Sequence, residues 1–375
     1  MDKAKQYSSI KHRIALINIF LTPAILLLLL FLDAPTYFKT IAHGVSANDY
    51  VNLIAFYLLM AAFYYIITLP LEFYSSFTLE HRFSLSNQKL EDWIIREAKK
   101  NLVALIISVP ITLAIYAFLR FSPVNWWLWT ASLWFFLSII LAKFAPVAIV
   151  PLFYKYSPIK DAGLEKRLND LISKVGFRSG GVYELNISRD TKKANAALLG
   201  LGKQKRIVLC DTLIQNFSHD EIESVMAHEL GHHKLNHIWE LIISGGIFTF
   251  AIFFFADPVF FKLHNFFGYN MISDYESLVL IYFAVSALSI FFIPLSNAFS
   301  RRLEKNADGF ALKTTGNPAA FISAMKKLSE QNLSETNPGK IYEIMLYDHP
   351  PISRRIAFAE SFKKISATNQ NTPSK

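Results

Sequence analysis

A 375-residue chain with 53% apolar side chains and 33 phenylalanines carries more apolar surface than a water-soluble interior absorbs, and a bilayer accounts for the surplus. Its one cysteine, Cys210, excludes an internal disulfide and any cysteine-built metal cluster, and reads as a small buried residue. The net charge of +9 does not mark a nucleic-acid partner, because the basic residues collect in alternate inter-segment stretches and no zinc-finger or RNP motif occurs.

Taken in chain order, six apolar runs stand out, at about 14–33, 51–70, 102–119, 125–150, 237–256 and 279–299. Each is long enough to span a bilayer, because about twenty residues rising ~1.5 Å each cover the ~30 Å hydrocarbon core. The first is too long for a cleaved signal peptide and lacks a small-residue cleavage site before the second run. Lysines and arginines lie in Met1–Arg13, 71–100, 156–236 and 301–375, whereas 34–50, 121–124 and 257–278 hold only Lys39 and Lys262. The positive-inside rule therefore predicts that the basic stretches and both termini face the cytoplasm. Lys143 and Glu240 fall inside spans, where a charge either faces a cavity or partner or snorkels to the interface.

Between the fourth and fifth runs, 156–236 reads as a small mixed domain. An amphipathic pattern at Leu164–Val175 predicts a helix closed by Gly176, and Val182–Ile187 and Ile207–Cys210 predict strands. Lys192–Leu199 is the candidate edge strand. Ser218, with Glu221 three places on, forms a capping box that opens a helix expected to run unbroken into the fifth span. The polar tail of 366–375 is expected to be disordered.

That capped helix carries His228-Glu229-Leu230-Gly231-His232, an H-E-x-x-H string. Four residues advance a helix by about 400°, so both imidazoles leave one face and suit two adjacent corners of a zinc tetrahedron, with Glu229 placed to reach a water. A histidine six residues past His232 would be the metzincin third ligand, but Ile238 stands there. Ser300–Asp308, just beyond the sixth run, offers a glutamate instead: Glu304 as ligand, with Asp308 four residues on as partner to a ligating imidazole. Taken alone, Glu304 is an ordinary exposed helical acid, but the predicted topology returns it to the side of the membrane that holds His228. The expected fold is a mainly α membrane protein of about six transmembrane helices with a cytoplasmic-side mixed α/β zinc metalloprotease domain. Its divisions are 1–155 with four spans, 156–236, the span pair 237–299, and 300–365 with the third ligand.

The chain resembles the type I CAAX prenyl endopeptidases, integral membrane zinc proteases of the gluzincin type, and their bacterial relatives. Beyond the metal motif, the resemblance rests on Pro70–Phe77 with Glu80, Ala145-Pro146, Pro151-Leu152-Phe153, Asn195-Ala196 before Gly200, Glu304 with Asp308, and His349-Pro350-Pro351 followed by Arg355. It departs at Arg82–Asn87, where the family has Gly-Phe-Asn, and in having one amino-terminal span fewer than the eukaryotic members. The resemblance implies that His349 and Arg355 polarise the scissile carbonyl and that Asn195 and Ala196 present an edge strand to an extended peptide. It implies one zinc per chain, a lipidated or membrane-embedded peptide or protein as substrate, and membrane lipids as surroundings. Two other readings are a bacterial quality-control protease of the same chemistry and, from another class, a transporter with a structural zinc. His219, His233 and His237 are expected on a helix flank facing water or headgroups.

Overall fold

The computed structural model describes residues 3–200 and 204–370. Six of the described helices are long and apolar enough to cross a membrane, and each predicted run falls on one of them. The first is α1 (Lys3–Phe31), followed by a short α2 (Ala34–His43); the second joins α3 (Asp49–Phe73), a π-turn at Tyr74–Thr78 and α4 (Leu79–Arg82). α5 (Leu90–Phe121) and α6 (Trp126–Phe144) are the third and fourth, and α6 loosens through a second π-turn at Ala145–Ile149. Pro70 lies just ahead of the first π-turn and Pro146 inside the second. A proline removes an N–H from the helical ladder, and widening the turn absorbs the gap.

A small domain follows. Its sheet has the order β1 (Tyr156–Pro158), β2 (Arg178–Leu185), β4 (Gln204–Cys210) and β3 (Ala196–Leu199), antiparallel except for the β2–β4 pair. β3 is therefore an edge strand, shorter than the predicted stretch, although the Asn195 carbonyl still accepts the Cys210 N–H at 3.0 Å. α7 (Ala162–Lys174) buries Leu164, Leu168, Leu171 and Ile172 in the core shared with the sheet, and Gly176 just past its end takes a left-handed φ of 88°.

After α8 (Asp211–Asn216) comes α9 (His219–Lys234), which the Ser218–Glu221 capping box opens as expected. It does not run into the fifth span. The chain turns at Leu235-Asn236, with Asn236 at a left-handed φ of 60°, and α10 (His237–Phe267) begins anew. Asparagine tolerates that conformation better than other non-glycine residues, so α9 stays in the polar domain while α10 enters the membrane. The sixth span is the 41-residue α11 (Tyr275–Thr315). At ~1.5 Å per residue it is about 60 Å long, twice the hydrocarbon thickness, so its second half extends beyond the bilayer.

α12 (Pro318–Gln331), α13 (Lys340–Leu346) and α14 (Ile352–Gln370) complete the chain. Of the tail expected to be disordered, 366–370 belong to α14, and 371–375 lie outside the described residues. Ile352, Ile356, Phe358 and Phe362 dock on the domain core, and a helix nucleated by docking propagates cheaply through polar residues. α1 begins on the same side as this domain: Ser8 Oγ donates to the Leu333 carbonyl at 2.8 Å, and His12 Nε2 lies 2.9 Å from the Tyr347 hydroxyl.

Candidate active site

Three devices set α9 in place. Glu221 caps the helix start and also accepts from Lys327 Nζ at 2.8 Å and Ser323 Oγ at 2.6 Å, tying α9 to α12. Lys234 Nζ donates to the Val175 carbonyl at 3.0 Å near the other end. In the middle, Gly231 lets α9 and α11 approach: a β-carbon there would stand 3.2 Å from the Ala307 Cα and from Phe310. The glycine inside the H-E-x-x-H string thus permits the contact that lifts the third acid to the histidines.

At that contact His228 Nε2 lies 3.2 Å from His232 Nε2 and 3.2 Å from Glu304 Oε2, and His232 Nε2 lies 3.1 Å from Glu304 Oε1. His228 and Glu304 are buried and His232 is half-buried. Glu304 Oε2 makes no hydrogen bond despite its closeness to an imidazole nitrogen, the arrangement of ligand atoms aimed at one shared point. These three residues could hold a metal ion. Each histidine is fixed from behind through its other nitrogen, which sets ring orientation. His228 Nδ1 meets Asp308 Oδ1 at 2.9 Å, and His232 Nδ1 meets His237 Nδ1 at 3.1 Å. Burial lowers the His228 pKa, but the bonds to Asp308 and Glu304 outweigh it and raise it to about 9.

The structure brings all the predicted site residues to this region. His228, Glu229, His349, Arg355, Asn195 and Ala196 line one cavity of about 700 Å³. His349 Nε2 stands 3.3 Å from Glu304 Oε1, and its Nδ1 bonds Asp348 at 2.7 Å. Burial pushes the His349 imidazole down, but the Asp348 bond and the Glu304 charge hold it above the usual value. Arg355 grips Asp308 with two nitrogens, Nε at 2.9 Å and Nη2 at 2.5 Å, so it serves the metal cluster as well as the cavity.

Two histidines differ from expectation. His237 is 1% exposed and backs His232, and His233 bridges Lys205 Nζ at 2.7 Å and the Leu198 carbonyl at 3.2 Å. Only His219 lies on the exposed flank, paired with Asp161. His237 escapes sequence reasoning because it comes five residues after His232, off the helical repeat; the turn at Asn236 returns it to the site.

Six membrane-crossing helices, an H-E-x-x-H helix, a converging glutamate and an edge strand on the same cavity define an integral, multi-pass membrane metallopeptidase. A profile of peptidase family M48 matches residues 158–363, and one described as the CAAX prenyl protease N-terminal region with five membrane helices matches residues 1–155. The described residues of that stretch contain four candidate spans. The chain is 28% identical to the uncharacterized metalloprotease YhfN of Bacillus subtilis over 95% of this chain and 84% of that one. It is 32% identical to CAAX prenyl protease 1 of Saccharomyces cerevisiae over 78% and 68% of the two chains. The crystal structure of S. mikatae Ste24p superposes with a TM-score of 0.85 at 26% identity, covering 96% of this chain and 90% of that one. The chain belongs to peptidase family M48, in the CAAX prenyl protease group of membrane metalloproteases.

Proposed function

We propose that this chain is a zinc endopeptidase of the CAAX prenyl protease type, cutting lipidated peptides at the cytoplasmic face of the membrane in which it is embedded. The observation that carries the reading is the convergence of His228, His232 and Glu304 beside Glu229, on a cavity that also exposes the edge of β3. Ligands ~2.0–2.1 Å from a tetrahedral zinc stand about 3.3 Å from one another. The 3.2 Å between the two imidazole nitrogens, and the 3.2 and 3.1 Å from His228 and His232 to the Oε2 and Oε1 oxygens of Glu304, are of that size, and two imidazoles with one carboxylate are the donor set that would hold a catalytic rather than a structural zinc.

Bound there, zinc supplies a Lewis acid and a water of lowered pKa. Glu229, on the cavity wall one residue from His228, accepts the proton of the attacking water and passes it to the departing amine. His349 donates to the developing oxyanion. Arg355 has Nε and Nη2 occupied by Asp308, so Nη1 is the group that remains for a substrate oxygen. The free edge of β3 at Ala196 pairs with the peptide backbone and holds it extended. The basic stretches and both chain ends are assigned to the cytoplasm by their lysines and arginines.

Two results test this. A farnesylated peptide is expected to show kcat/KM about tenfold or more above that of its unlipidated twin, a gain of ~1.4 kcal/mol that a fraction of the prenyl carbons supplies. Equal rates would assign the chain to unlipidated membrane proteins. Because His228 holds its proton up to a pKa of about 9, zinc must displace it. Zinc titrated into the metal-free protein at neutral pH should release about one proton, and affinity should fall about tenfold per unit as pH drops. Calorimetry in buffers of different ionisation enthalpy measures this, and zero release refutes it.

A further inference from the structure

A second cavity, of about 320 Å³, opens where the polar domain meets the membrane helices, and it shares no lining residue with the active-site cavity. Its walls are the first turns of α5 with Asp92, Ile95, Arg96 and Lys99, then Phe153 just past the fourth span, and Arg189 and Asp190 from the loop after β2. We propose that this cavity binds the phosphate headgroup of an acidic membrane lipid, a reading independent of the peptidase assignment. Depth points to a lipid. Lys99 stands three residues before the apolar run that starts at Leu102, about 4.5 Å at ~1.5 Å per helical residue, and Phe153 directly follows the end of the fourth span at Leu152. The opening therefore lies at headgroup level, on the side of the membrane that holds the polar domain. Ile95, 55% exposed, and Phe153 give it an apolar flank for the glycerol and upper acyl carbons.

The distribution of charge points to an anion. Arg96 and Arg189 both donate to Oδ2 of the buried Asp190, Arg189 from Nε at 3.3 Å, so one carboxylate answers two guanidinium groups. Arg96 spends a second nitrogen on the Tyr154 hydroxyl. Lys99 Nζ donates to the Leu152 carbonyl at 3.3 Å and Arg189 Nη2 to the Phe153 carbonyl at 3.0 Å. Those acceptors are consecutive in the chain, which brings the ammonium and the guanidinium to one rim. Among the described residues Lys99 forms no ion pair, and neither does Asp92, the other acid of the cavity. Asp92 comes seven residues before Lys99, about 10 Å along α5 away from the bilayer, so the rim nearest the lipid stays positive. Arg189 Nη1 and two of the three Lys99 protons are left to donate to phosphate oxygens. A basic pocket between membrane helices at this level is where the negative charge of an acidic headgroup is stabilised.

The test titrates the full-length protein in neutral detergent with phosphatidylglycerol or phosphatidylcholine of the same acyl chains and counts bound lipid by native mass spectrometry. The first phosphatidylglycerol is expected to bind about tenfold more tightly than the first phosphatidylcholine, the size of one or two charge-assisted contacts. Lys99→Gln combined with Arg189→Gln should shrink that preference below about twofold, whereas Lys99→Arg with Arg189→Lys, which keeps both charges, should preserve most of it. Should the double glutamine variant fail to fold, Lys99→Gln alone, at an exposed side chain with one bond to a carbonyl, should still reduce the preference by about threefold. Lys3→Gln with Lys5→Gln removes two charges from the start of α1, on the same side of the membrane, and should leave the preference intact. Equal binding of the two lipids overturns the proposal, as does a preference that survives the glutamine substitutions or falls equally with Lys3 and Lys5. Displacement of the bound lipid by millimolar inorganic phosphate also overturns it, because the cavity would then take a soluble anion instead of a lipid.

Discussion

Glu229→Gln is expected to lower kcat by about 10⁴-fold, the upper range for loss of a general base, with one zinc still bound per chain. The substitution keeps the size of the side chain and removes only its capacity to take a proton. Glu229 lines the cavity but is not among the residues that could hold the metal, so the cluster of His228, His232 and Glu304 is untouched. KM should change little, because β3 and the cavity wall, which on the proposed function would hold the peptide, are also unchanged. Metal analysis and single-turnover cleavage of one preparation check both halves. Activity within tenfold of the parent would remove Glu229 as the base, and loss of zinc would make it a ligand instead.

The parts of this site that were legible in the sequence are those encoded by short-range periodicity. His228 and His232 are one helical turn apart whatever surrounds them, and Glu304 and Asp308 share a face of α11 for the same reason. Apolar runs of bilayer length likewise located six spans without knowledge of their packing. What stayed hidden depends on contacts distant in sequence. Hydropathy reports that α1 can cross a membrane, but not that its first turns, through Lys11 and His12, form a wall of the catalytic cavity. The arginine predicted to face substrate spends two nitrogens on Asp308, 47 residues away, which no local pattern reveals. The break at Asn236 leaves no sequence signal, because both flanking segments are strongly helical and asparagine adopts the left-handed conformation between them without requiring a glycine. The sequence pattern marks β3 as an edge strand, but only the fold shows that Ala196 at its start shares a cavity with Glu229.

The opposite outcome to Glu229→Gln is expected from Glu304→Gln, which should abolish activity by abolishing the metal site. Glu304 is 5% exposed, and its carboxylate lies 3.1 to 3.3 Å from nitrogens of His228, His232 and His349. Glutamine fills the same space but brings no negative charge, so three imidazoles would face one another around a neutral amide, and a divalent ion would lose its one anionic ligand. Asp308→Asn provides the graded comparison. Asp308 touches His228 only through Nδ1 and carries the Arg355 pair, so its loss misorients a ligand without deleting one and should weaken zinc by about 10–100-fold. Glu304→Gln should exceed that loss by a wide margin and yield protein without zinc after dialysis, inactive at any peptide concentration. Added zinc should restore part of the activity of Asp308→Asn and none of that of Glu304→Gln. If the Glu304→Gln protein retains stoichiometric zinc, the carboxylate that arrives on α11 is not a ligand, and the three-residue metal site must be abandoned.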